Sequence, residues 1–133
     1  MDTDIEELLE RPYWLIDIVP ERIEAEKGKE YALLQEYCRS NMDLIRSRFI
    51  SFLLKLNCYR DLKISWDYGE SFEPLNVLPE IRIPGEIYVL IDGSSLLTYD
   101  TEDTSMTLYC PDEKLLETAG KLVLSEGLYL WKN

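Results

Sequence analysis

The chain contains no histidine. That absence excludes more chemistry than any motif adds, because neither a Ser-His-Asp nor a Cys-His nucleophile can be assembled and the usual histidine ligands of zinc and iron are missing. Acid–base work would fall to carboxylate, lysine, tyrosine or unassisted cysteine. Cysteine is scarce as well. Cys38, Cys58 and Cys110 are odd in number, widely spaced and set among apolar residues, which predicts reduced core thiols and not a disulfide frame or a zinc knuckle. No apolar run approaches the ~20 residues of a membrane span, and the start, MDTDIEELLERPYW, is acidic where a secretory signal would be basic. A cytoplasmic protein with no membrane contact is expected. The six glycines form no G-x-G-x-x-G or P-loop run, so nucleotide binding has no support and no cofactor is expected.

Basic charge is the next scarcity. Between Asp67 and Glu113 a single base, Arg82, stands against eleven carboxylates, so ten of the twelve net negative charges fall in that stretch and the rest of the chain is nearly balanced. One-signed crowding of this kind costs self-repulsion and governs what the surface can meet. A net charge of −12 repels a phosphate backbone, which argues against direct nucleic-acid binding. The natural complement is a basic protein.

What is present suffices for one core. With 133 residues, 46% of them apolar, the chain fits a single domain, 1–133, that needs no disulfide or metal to hold it. A short acidic helix or frayed terminus is expected at 2–10, and YWLIDIVP (13–20) reads as a strand buried on both faces and stopped by Pro20. The charged segment 21–30 reads as a connection. Tyr31, Leu34 and Cys38 then fall on one helical face, and Ile45, Phe49, Phe52, Leu53 and Leu56 mark an amphipathic helix at 42–57.

LKISWD (62–67) alternates Leu62, Ile64 and Trp66 with polar residues, a strand with one dry and one wet face. The stretch 68–85 reads as a long loop with an extended piece at 80–83. Segments 86–92 and 95–100 form a hairpin on an Asp-Gly turn, and 105–110 completes a meander. A helix at 112–126 opens on proline and two acids and ends at Gly127, before a strand at 128–131. Because that helix joins two strands, a parallel crossover is expected. The fold class is α+β, a five- or six-stranded, mostly antiparallel sheet with helices packed on one face.

Three groups of carboxylates could do chemistry. Asp17, alone in an apolar strand, could have a raised pKa; a solvated edge or a neighbouring cation is the structural alternative and is preferred. Asp100, Glu102 and Asp103 could grip a hard cation, but D-x-E-D lacks the alternating ligands and central glycine of a calcium loop, so a solvated turn is expected and no metal site is assigned. Carboxylate pairs for glycoside hydrolysis are easy to find among 26 acids and carry little weight. No catalytic residue is assigned. The acidic stretch is different, because aromatic residues are interleaved with its charges, and aromatic anchors within a charged rim suit a fast-associating protein interface. The expected partner-binding set is Asp67, Tyr68, Glu70, Phe72, Glu73, Tyr99, Asp100, Glu102 and Asp103. Acidic charge can also serve solubility alone.

Three stretches, YWLIDIVP, LKLNCYRDLKISWDYGESFEP and SMTLYCPDEKLLETAGKLVLSEGLYLW, resemble a group of short bacterial proteins of uncharacterised activity that begin with a YWLID-type strand and finish with a helix and an EGL-aromatic strand. In size, charge and class the chain more loosely resembles acidic toxin-immunity proteins. That likeness implies a non-enzymatic inhibitor that blocks a basic toxin or nuclease with carboxylates in place of phosphates. The alternatives are an accessory or regulatory subunit that uses the same face on another basic partner, and a small carboxylate- or metal-dependent hydrolase built on Asp17 or the 100–103 turn.

Overall fold

The computed structural model describes residues 5–76, 85–110 and 112–132. Their order is α1 (Ile5–Leu8), β1 (Tyr13–Asp17), α2 (Gly28–Ser40), α3 (Met42–Asn57), β2 (Leu62–Ser65), β3 (Glu73–Pro74), β4 (Glu86–Ile91), β5 (Ser95–Asp100), β6 (Ser105–Tyr109), α4 (Glu113–Ser125) and β7 (Tyr129–Trp131), with a 3₁₀ turn at Ala25–Lys27 leading into α2. The class is α+β, and the expected extended piece at 80–83 lies outside the described residues.

The sheet has seven strands in the order β3-β2-β4-β5-β6-β1-β7, and every neighbouring pair is antiparallel. The count exceeds the expected five or six, in part because the two-residue β3 pairs with Lys63 and Ile64 inside what sequence reads as loop. The crossover expectation also needs correction. β6 and β7 do run in the same direction, but β1 lies between them and pairs with both, so no parallel neighbours occur among the described residues. Periodicity within the segment predicts a β1 buried on both faces, but only Ile16 is buried and Tyr13 is exposed; periodicity also carries no information on which strands take its two edges.

Alternation along the strands divides the sheet into two faces. One carries Ile16, Ile87, Val89, Leu97, Tyr99, Met106 and Leu108, which meet Ile45, Phe49, Phe52, Leu53 and Leu56 of α3 and Leu115, Ala119 and Val123 of α4 in a single core. Each large side chain so buried contributes about 1.5–3 kcal/mol. The other face carries Leu90 and Leu96, covered by Leu8 of α1, with Ile5, Phe72, Tyr88 and Tyr109 around them. The helices are therefore not all on one face: α1 caps the opposite side, because the pair Leu90–Leu96 would otherwise leave an apolar patch in water.

Local chemistry sets the ends. Asp92 and Gly93 have φ of 52° and 72°, and the Ser94 N–H donates to Ile91 O at 3.1 Å, so two left-handed residues turn the chain within a three-residue connection, 92–94, between Ile91 and Ser95. Asp112 caps α4 by accepting from the Lys114 N–H at 2.9 Å. The meander register places the C-terminal ends of β1, β2 and β5 and the starts of β4 and β6 at one end of the sheet, called the Asp100 end; the turn 92–94, the connection 58–61 and Asp112 lie at the other, the Asp92 end.

Candidate functional site

At the Asp92 end the carboxylates have a cation. Arg60, delivered by the connection between α3 and β2, donates to Asp92 at 2.8 Å and to Asp112 at 3.2 Å, and the second oxygen of Asp92 accepts the Asp61 N–H at 3.0 Å. Partial burial pushes the Asp92 pKa up, but the bonds from Arg60 and Asp61 outweigh it and hold the group below the usual carboxylate range. The hydrogen bond from Arg60 lowers Asp112 likewise.

The Asp100 end is built from two loops. In the first, 66–72, Asp67 accepts from Ser71 Oγ at 2.6 Å, Ser65 Oγ at 2.7 Å and the Ser71 N–H at 2.9 Å, and these bonds, Ser71 first, bring its pKa down to about 2. Ser65 Oγ in turn accepts from the Gly69 N–H at 2.9 Å. This small network holds Tyr68 and Gly69 at φ of 59° and 86° and turns the Tyr68 ring outward, 68% exposed, edge-on to Tyr88 with centroids 6.3 Å apart. Glu70 and Glu73 are exposed beside it. The second loop is the 101–104 turn, where Asp100 accepts from the Glu102 N–H at 2.9 Å and Asp103 from the Thr104 N–H at 2.8 Å. Buried Thr101 and the Arg46 guanidinium, which donates from Nε to Thr101 O, fix this turn to Gly85 and to α3. Among the described residues none of Asp67, Glu70, Glu73, Asp100, Glu102 and Asp103 makes an ion pair with Lys or Arg.

Of the nine residues expected at the interface, Asp67, Tyr68, Glu70, Asp100, Glu102 and Asp103 thus share one end of the sheet. Glu73 lies exposed on edge strand β3, and Phe72 is half-buried against the Leu90–Leu96 cluster. Tyr99 is a correction: it is 1% exposed and stacks on Phe49 with centroids 5.0 Å apart, because alternation along β5 sends positions 97 and 99 to the helical side. Burial pushes its phenol pKa well up. Asp67 is also more than a contact residue, since it organises its own loop.

Sequence reading missed two residues here. Glu86 pairs directly with Asp100 across β4 and β5, a like-charge juxtaposition set by the three-residue connection 92–94, whereas a two-residue turn at Asp92-Gly93 would place Glu86 opposite Tyr99. Trp66, expected on the dry face, is 44% exposed because β2 ends at Ser65. The cysteine reading holds for Cys38 and Cys110, both buried, and fails for Cys58, which is exposed at the C-terminal cap of α3.

Asp17 reaches the same end. Burial raises its pKa, outweighing the hydrogen bonds from the Ile18 and Val19 N–H groups, and Asp103 adds to the rise. It lines an open cleft of about 320 Å³ with Tyr31 and Trp131. Among the described residues no three His, Cys, Asp or Glu converge as a metal site, and no helix is long and apolar enough to cross a membrane. Comparison with protein-family models, with curated proteins and with solved structures finds no match to this chain.

Proposed function

We propose that this chain is a non-enzymatic acidic binding protein that takes a basic protein partner at the Asp100 end of its sheet, in the manner of an immunity-type inhibitor of a toxin or nuclease. The observation that carries the reading is the set of exposed carboxylates in two rigidly built loops, unpaired with Lys or Arg among the described residues, beside the exposed rings of Trp66 and Tyr68. Acids left without cations keep their field for a partner, and aromatic rings give that partner apolar surface to desolvate against. The loops are held by their own hydrogen bonds, so little ordering entropy remains to be lost on association.

Immunity genes sit beside their toxin genes, so the product of the adjacent gene is the first partner to test. Glu70, Glu73 and Glu102 are the residues to reverse to Lys, because Asp67, Asp100 and Asp103 support their own loops. The triple variant should keep its melting temperature and associate at least about tenfold more slowly at low salt, with a flatter dependence on ionic strength. Equal association rates for the two proteins across the salt range would end this reading.

A further inference from the structure

The helix α2 turns an apolar stripe to water. Only Cys38 of its 13 residues is buried, while Leu33 is 69% and Tyr37 is 63% exposed, four residues apart on the side turned away from Cys38. This surface differs electrically from the acidic stretch between Asp67 and Glu113. Glu26, Lys27, Lys29, Glu30, Glu36 and Arg39 supply three charges of each sign, on a protein of net charge −12. A basic partner gains nothing from a neutral patch, and an identical molecule, repelled at the acidic stretch, can approach here.

The positions of two charges go further. Lys29 and Glu36 are seven residues apart, so they lie on the same flank of the Leu33–Tyr37 stripe, and neither makes an ion pair among the described residues. When a helix pairs with its own copy in antiparallel sense, each flank meets the same flank of the other. Lys29 of one copy then meets Glu36 of the other, and the reverse contact follows by symmetry.

We infer that α2 is a self-association surface through which two copies of this chain pair antiparallel about a two-fold axis. A helix of 13 residues is about 20 Å long and buries less than a standard interface of ~1,600 Å², so the dimer is a weak one with micromolar dissociation. In that register Leu33 lies at the axis against its own copy, Tyr37 packs over the Gly28 end of the other helix, and the Lys29–Glu36 pairs fix the direction. The surface is separate from the Asp100 end, and the inference does not depend on the partner proposed there.

Sedimentation velocity on the full chain from low to several hundred micromolar should show a monomer–dimer equilibrium. Leu33→Glu should raise the dissociation constant at least about tenfold with its melting curve unchanged. Lys29→Glu and Glu36→Lys should each weaken the dimer, and the two together should restore it, since the swapped charges pair again across the axis. A protein that stays monomeric at every concentration overturns the inference. So does a dimer indifferent to Leu33→Glu, or a double swap no better than its parents.

Discussion

At the Asp92 end of the sheet, Arg60 bridges Asp92 and Asp112 and a backbone N–H takes the remaining oxygen; at the Asp100 end, Asp100 and Asp103 accept only from their own turn and Glu102 accepts from nothing among the described residues. The residue types are the same. What differs is where the cations are sent. Arg60 comes into the carboxylates from the α3–β2 connection, whereas Arg46, which reaches the 101–104 turn, spends its guanidinium on Thr101 O and on Asp43 within α3. One end pairs its acids with a cation, and the other, though three of its acids hold their own loops, leaves their charge unpaired with Lys or Arg among the described residues.

The largest way to break this contrast is mechanical. Gly69 has φ of 86°, and a Cβ there would come within 3.1 Å of Ile5 and 3.3 Å of Tyr88, whereas Gly93 has φ of 72° with nothing within 4 Å. Gly69→Ala combines left-handed strain with crowding against the Ile5 side chain of α1 and should cost about 1–3 kcal/mol in urea unfolding. Gly93→Ala carries only the strain, about 1–2 kcal/mol. The reverse order would mean that the loop at the Asp100 end is not packed as described.

Next in size is Arg60→Met, which leaves two carboxylates without their cation and should lower the melting temperature at neutral pH. The sign with pH follows from Asp92 and Asp112, whose pKa values are depressed in the folded state. Their contribution is full above the ordinary carboxylate range and is lost as pH falls through the folded pKa, so the deficit of Arg60→Met should shrink toward wild type in acid. A deficit constant with pH would assign the effect to packing of the arginine stem.

Asp17 supplies the mirror image at the other end. Its folded pKa is raised by burial, so ionising it at neutral pH opposes folding. Asp17→Asn keeps an oxygen for the Ile18 N–H, found at 2.6 Å, and should raise the melting temperature at pH 7. That gain should disappear as pH falls below the ordinary carboxylate pKa, where wild type is protonated as well. A loss of stability at pH 7 would show that the carboxylate has a cation in solution.

Much of this arrangement is legible from the amino acids, and the gaps have physical causes. Helix α3 follows the apolar spacing of Ile45, Phe49, Phe52, Leu53 and Leu56 to the residue, and the β4–β5 hairpin follows from Asp92-Gly93, because both signals are local. The insertion of β1 between β6 and β7 is a choice among long-range pairings that no segment encodes by itself. Tyr99 was placed on the surface by its acidic neighbours, although the alternation that buries Leu97 buries it too. Cys58 was placed in the core by composition, although it follows the last turn of α3, where the chain leaves the apolar stripe. Charge clustering could not separate the Asp100 end from the Asp92 end, since Arg60 lies outside the acidic stretch in sequence and joins it only in space.

The smallest expected effect tests whether the Asp100 end is spent on stability at all. Glu86 and Asp100 face each other across β4 and β5, and like charges so placed repel. Glu86→Gln should therefore leave stability unchanged or raise it by about 0.2–1 kcal/mol. The gain should fade as salt is added, because screening at 0.15 M already works over about 8 Å. Arg60→Met should respond to salt in the opposite sense, since screening weakens in wild type the attraction that the variant has lost. If Glu86→Gln instead lowered stability as Arg60→Met is expected to, the acids of the Asp100 end would have a cation of their own, and the distinction between the two ends would collapse.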